Sequence, residues 1–304
     1  MVVDVILTVI VIIINSETVS GYMSNILRAV INLVETKVID IETTVAGKNR
    51  ANSVGDSLEL YIKNLFADSF GLDEVSRDRR FGEVFSYYGN QNNPPDIILK
   101  GGDAIEVKKI ESQFSDLALN SSPPKSKLSI NDSRITTSCK RCESWKTKDI
   151  IYVVGHVSKG NLMNLSFVYG EDYAASPEIY ERISNTIRSG VTSISDIEFK
   201  ETNELARVNK VDPLGITYLR IRGMWGITNP VKVFSSIYKP INNAKFNFMC
   251  IINLDKYNSF PAEDRKKVEE LSKVPGSLSV KDVKIKVPDN PAKLKDAKLI
   301  SFHM

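Results

Sequence analysis

Pro95-Asp96-Ile97-Ile98-Leu99-Lys100-Gly101-Gly102-Asp103-Ala104-Ile105-Glu106-Val107-Lys108 is the stretch whose reading decides the fold. An acid and three apolar residues lead into a Gly-Gly turn, and Glu-x-Lys follows on a second apolar segment. Two short strands fit this order, Asp96 to Lys100 and Ala104 to Ile110. Side chains alternate along a strand, so Glu106 and Lys108 face one side while Val107 and Lys109 face the other. That parity selects Lys108 over Lys109. Asp96 joins them only if the turn has the right length. A two-residue Gly101-Gly102 loop pairs Asp96 with Val107 and sends its carboxylate to the wrong face. A three-residue loop of Gly101, Gly102 and Asp103, with a glycine at positive φ, or a bulge near Asp96, places Asp96 opposite Lys108 and lets all three groups converge.

Two carboxylates beside an ammonium suit phosphodiester hydrolysis. The reaction needs a hard cation to neutralise the scissile phosphate, and Mg²⁺ is usually held by one or two carboxylates, waters and substrate oxygens. Asp96, Glu106 and Val107 are the expected metal ligands. Lys108 is expected to hold the attacking water and stabilise developing negative charge, with no covalent enzyme intermediate. The same pattern also fits an acidic surface hairpin, because its residue types are common and its spacing is loose.

Outward from this segment, the pattern is that of an α/β chain. Met23 opens an amphipathic helix with Ile26, Leu27, Val30, Ile31 and Val34 at helical spacing, and Asp56-Ser57-Leu58-Glu59 reads as the capping box of a second, with the stripe Leu58, Tyr61, Ile62, Leu65 and Phe66. Phe81 to Tyr88 fits a short strand or turn, and Gly89 to Pro95 a polar loop. Ile150 to Val154 and Leu165 to Tyr169 suit buried strands. Pro177 to Arg188 looks helical, Gly215 to Met224 and Phe246 to Leu254 read as strands, and Pro261 to Ser272 as a Lys-rich helix. No internal repeat or low-complexity tract is present.

The 304 residues, 42% hydrophobic and 25% charged, can bury a substantial core, and no Pro/Gly/Ser-rich linker divides them. One domain over 23–304 is therefore expected, with a catalytic core near 49–170, recognition elements near 200–304, and 1–22 as an extension from an upstream start codon. The apolar run Val5 to Ile14 is shorter than the roughly 20 residues a membrane helix needs. A formal charge of +3 carries little information, but Pro123 to Lys148 holds seven basic residues against two acids, a stretch able to track phosphates. Cys139, Cys142 and Cys250 make no even disulfide framework, which fits a reducing cytoplasm. Cys139 and Cys142 form one CxxC. Zinc there needs further ligands such as His156 and Cys250, so reduced structural thiols are the simpler reading. With two histidines, a histidine-dependent nuclease or a hydrolytic triad would have to rest on very few residues, and no nucleophile elbow or phosphate-cradling GxxxxGK[ST] is present.

The residues resemble those of NgoPII-like type II restriction endonucleases of the PD-(D/E)xK class. The likeness runs through Asn49-Arg50-Ala51-Asn52, Gly55 to Glu59, Phe85 to Asp96, Gly101 to Lys109, Leu117 to Ser122 and Val211 to Trp225. It implies a restriction-endonuclease-like α/β fold with a central mixed β-sheet flanked by helices. It further implies a homodimer that cuts double-stranded DNA at a short palindrome, GGCC, leaving 5′-phosphate and 3′-hydroxyl ends, beside a cognate DNA methyltransferase. Glu59 resembles an acid that such nucleases place on a helix next to the metal, although the capping box gives it a structural reason as well.

Candidate DNA contacts are Asn92, Asn93, Lys125, Lys127, Arg220, Arg222 and Trp225. Arg220 and Arg222 share one strand face and suit guanine O6 and N7; phosphate contact or an inter-subunit ion pair are the other readings. The asparagines also serve simply as turn formers. The residues alone leave two rivals, a repair or recombination nuclease with the same metal chemistry and a DNA-binding module that has lost cleavage.

Overall fold

The computed structural model describes residues 23–41, 54–90, 93–195, 198–200, 202 and 204–304. The proposed extension over 1–22 therefore lies outside the described residues. Helix α1 (Ile26–Thr36) begins three residues after Met23, because Asn25 supplies the cap and accepts from the Leu27 and Arg28 amides. Helix α2 spans Val54–Ala67, so the expected capping box at Asp56 to Glu59 is corrected: the helix is already under way there, and Glu59 lies inside it. The expected stripe of Leu58, Tyr61, Ile62, Leu65 and Phe66 is fully buried.

Helix α3 (Glu74–Val84), capped by Asp73, takes up the first half of the segment read as strand or turn. Strand β1 starts at Phe85 and runs to Asn90. Strand β2 (Asn93–Leu99) reaches back through Pro94 and Pro95, which sequence placed in a loop; pairing with β1 tolerates the prolines through register shifts between Phe85 and Tyr87 and between Tyr88 and Asn90. Then follow β3 (Ala104–Ile110), β4 (Leu117–Asn120), β5 (Lys127–Ser129), α4 (Thr137–Arg141), β6 (Thr147–Ser158) and β7 (Asn161–Tyr169). Next come α5 (Gly170–Tyr173), α6 (Pro177–Thr192), β8 (Glu198–Phe199), β9 (Ala206–Asn209), β10 (Tyr218–Ile221), β11 (Trp225–Ile227) and α7 (Pro230–Val233). Strand β12 (Asn247–Asn253), α8 (Leu254–Ser259), α9 (Ala262–Ser272), β13 (Ser279–Val287) and β14 (Asn290–His303) complete the order.

The main sheet runs β1-β2-β3-β6-β7-β12-β14-β13, with β5 also pairing with β6. It is mixed: β3 and β6 are parallel, as are β7 and β12, while the other neighbours are antiparallel. Helices α1, α2 and α9 cover one face, meeting Ile97, Ile105, Val153, Phe167 and Phe248. The other face, with Ile98, Ala104, Tyr152, Met249 and Ile251, is covered by shorter pieces, including Leu119 of β4, Leu128 of β5, Cys139 of α4 and Phe234. Strand β12 is buried at all seven positions, as a strand packed on both faces must be. Among the described residues no helix is long and apolar enough to cross a membrane.

One expectation for the C-terminal third needs correction. Only Tyr218–Ile221 of the strand expected over Gly215 to Met224 joins a ladder, since the Asp212 carboxylate captures the Leu214 and Thr217 amides in a turn. The β13–β14 hairpin has a weak sequence signal because Lys281, Lys284, Lys286 and Lys298 interrupt its apolar pattern. Lysine on an exposed edge strand is a common guard against unwanted pairing.

Candidate active site

Strand β3 is zipped to β6 along its whole length, from Ala104↔Ile150 to Ile110↔His156. Against β2 it pairs only at Ile97↔Ile105 and Ile98↔Ala104. The expected three-residue loop exists, but one residue earlier: Leu99 and Asp103 close it through the Leu99 amide and Asp103 carbonyl (2.9 Å), and Gly101 has φ +67°. Asp96 therefore falls opposite Glu106 rather than Lys108. The shift is two in register sum, so the face is unchanged and the carboxylate still joins the Glu106 and Lys108 side.

Past Ile97↔Ile105 the backbone pairing gives way to a side chain: Asp96 Oδ2 accepts from the Val107 amide at 2.6 Å, while the Pro95 carbonyl lies against Gly89 of β1. The strands part at this point, and the site opens between them. Gly89 of β1 makes room: a Cβ there would lie 2.3 Å from the Pro95 carbonyl oxygen and 2.9 Å from the Asp96 Cα.

Glu106 and Lys108 meet directly, Nζ donating to Oε1 at 2.6 Å. Glu106 Oε2 is buried with no hydrogen-bond partner among the described residues. It belongs to a residue lining a water-sized pocket with Pro94, Leu119, Ser122, Lys125 and Tyr152. An orphaned buried carboxylate oxygen costs free energy unless a cation or proton satisfies it. Burial, and then the neighbouring Glu106, push the Asp96 carboxyl well above the usual carboxylate range, against the pull of Lys108 and the Val107 amide. Burial alone would lower the Lys108 amine, but Glu106 and Asp96 outweigh it and hold the charge above its ordinary value.

Glu59 pairs with Lys63 one turn on (2.6 Å) and acts on Asp96 and Lys108 only through its charge. Val107 contributes the amide just described, and its carbonyl leaves the strand on that same edge. Among the described residues no three His, Cys, Asp or Glu side chains converge as a metal cage. Cys139 and Cys250 pack on opposite faces of the sheet, and His156 Nδ1 meets Asn164, so neither Cys250 nor His156 completes the CxxC. Burial pushes the Cys139 thiol up to about 12.

The candidate DNA contacts are scattered. Asn92 lies outside the described residues. The Asn93 amide donates to the Arg134 carbonyl at 2.7 Å. Lys125 is buried and paired with Asp132 at the edge of the Glu106 pocket. Lys127 bridges Asp149 (3.2 Å) and Glu171 (3.1 Å), and Trp225 packs edge-on against Tyr180. Lys148 is paired with Glu143, so much of the basic stretch is already neutralised within the fold. Arg220 and Arg222 both reach Glu204.

The NgoPII restriction endonuclease family matches this chain over residues 24–286. The chain belongs to that family. It is also 54% identical over 281 residues to the type II restriction enzyme NgoPII of Neisseria gonorrhoeae, which covers 92% of this chain and all of that protein. No solved structure matches it. As a member of the NgoPII restriction endonuclease family the protein is a type II restriction endonuclease, and DNA is its substrate. This decides against the repair nuclease and the inactive binding module. In this NgoPII-family enzyme, sequence reasoning missed Gly89, taken for a loop residue, and Glu204. The need of two neighbouring arginines for a counter-ion was the one signal that pointed to an acid near Arg220.

Proposed function

We propose that this NgoPII-family enzyme cuts double-stranded DNA at GGCC in a Mg²⁺-dependent hydrolysis, leaving 5′-phosphate and 3′-hydroxyl ends. The observation that carries the reading is the buried, partnerless Glu106 Oε2 on the face it shares with Asp96, with the Lys108 amine on the other Glu106 oxygen. Asp96 and Glu106, with the backbone of Val107, hold the cation. The cation, when bound, neutralises charge on the scissile phosphate. Asp96 is kept in place by the Val107 amide, and Glu106 by Lys108. The Lys108 amine orients the attacking water and meets the charge that develops on the phosphate. Glu59 adds negative charge from α2 that favours cation capture.

Arg220 and Arg222 are the proposed base readers, and Asn93, Lys127 and Trp225 flank the duplex. Residues 23–304 act as one endonuclease domain, an arrangement supported by a sheet whose strands come from Phe85 to His303. A palindrome calls for a two-fold pair of sites, hence a homodimer. A methyltransferase that marks the same sequence is the functional counterpart.

Incubation with a fully sequenced plasmid and Mg²⁺, followed by sequencing of the new termini, tests this. Discrete fragments ending within GGCC are expected. Ladders, nicks or degradation from ends would defeat the proposal, and fragments cut at another sequence would replace the site alone.

A further inference from the structure

Glu204 is the least exposed member of a three-residue charge cluster, with 15% of its side chain accessible against 46% for Arg220 and 59% for Arg222. Its Oε2 accepts from Arg220 Nε at 2.8 Å, while Oε1 accepts from both Arg220 Nη2 and Arg222 Nε. The backbone beneath it is tied down on both sides: the Leu205 amide donates to the Ile221 carbonyl at 3.0 Å, and Arg188 donates to the Glu204 and Leu205 carbonyls. Two guanidinium groups two residues apart would repel. One carboxylate between them removes the repulsion and fixes both planes.

From this geometry we infer that Glu204 is a specificity-determining positioning residue, orienting Arg220 and Arg222 to read guanine. Among the described residues Arg222 makes one contact, from Nε to Glu204, so its terminal nitrogens form a two-pronged donor. Guanine presents O6 and N7 as two adjacent acceptors in the major groove, the match for such a fork. Glu204 has both oxygens engaged and is no base reader itself. The cluster is joined to the Glu106 pocket through the β4–β11 pair. Leu119 lines the Glu106 pocket, Asn120 pairs with Trp225, and Arg222 precedes Trp225 by three residues, about 10 Å of chain at full stretch.

The inference rests on the proposed function, so the test separates the two. Ca²⁺-supported binding is measured for duplexes carrying the recognition site and for duplexes with one G·C pair changed to A·T, across a salt series. The wild type is compared with Glu204→Gln, Arg220→Lys and Arg222→Lys. Glu204→Gln is expected to lower the discrimination ratio at least tenfold and to steepen the salt dependence, as arginines freed from the carboxylate turn to phosphates. An unchanged ratio in Glu204→Gln, with a lowered ratio in the arginine variants, overturns the role of Glu204 alone. Unchanged ratios in all three overturn guanine reading and this inference together. Should Glu204→Gln fail to fold by circular dichroism, Glu204→Asp, which keeps the charge but withdraws it by one methylene, is held to the same criterion.

Discussion

Lys108 Nζ lies 2.6 Å from Glu106 Oε1, two residues back on the same face of β3. Removing this amine takes away a donor aimed at developing charge while leaving both carboxylates in place. Lys108→Ala should slow cleavage by about 10²–10³-fold and leave Ca²⁺-supported DNA binding nearly intact. Lys109→Ala, on the opposite face, should cut normally. Plasmid digestion beside a gel-shift titration reads both, and normal cutting by Lys108→Ala would discard the site.

Asp96 holds its proton more tightly in the folded protein than in the unfolded chain. Stability contributed by that proton is complete at low pH and is lost as pH rises from the ordinary carboxylate range through the raised folded value. Metal-free enzyme should therefore melt lower at pH 8 than at pH 6. Asp96→Asn should flatten this dependence and raise the pH 8 midpoint in EDTA by roughly 2–4 °C, at the expense of cleavage. Added Mg²⁺ should raise the midpoint of the wild type only. A variant that melts below the wild type in EDTA at pH 8 would contradict the argument.

Gly89 brings β1 against Asp96, whose Cα would lie 2.9 Å from a Cβ at the glycine. A methyl group there meets backbone atoms, which cannot swing aside as a side chain can. Gly89→Ala should destabilise by about 1–3 kcal/mol and cost cleavage beyond what the loss of folded protein explains. Urea melts with specific activity per folded molecule distinguish the two, and wild-type values in both would show that the strands have slack.

Lys125 is buried and paired with Asp132; burial pushes that carboxyl up, but Lys125, the Arg134 amide and the Arg134 charge together hold it below its ordinary range. Lys125→Ala leaves a charge stranded and should cost roughly 3 kcal/mol. The salt slope of DNA binding should not move. A slope lower by about one unit, with little loss of stability, would return Lys125 to the DNA surface.

The parts of this fold that sequence discloses are those with a strong period or a closed local geometry. The α2 stripe reads directly from Leu58 to Phe66, and β3 falls on Ala104 to Ile110 as expected. Helix α3 was opaque because, of its eleven residues, only Phe81 and Val84 are buried, too few to set a period. At the site, parity along β3 chose Lys108, whereas the register with β2 depended on which residues close the turn. That choice is settled by Asp103, whose side chain is tied to Tyr169 and Lys256 and is not free to sit at a loop tip. Glu204 lies sixteen residues from Arg220, and only the ladder between β9 and β10 brings them together.

The Asp96 carboxylate acts as a stop in a zipper. Because its Oδ2 already occupies the Val107 amide, the backbone seam between β2 and β3 cannot close one tooth further. A side chain too short to reach that amide would leave the seam free to shut, so a change in its length should be as harmful as the loss of its charge.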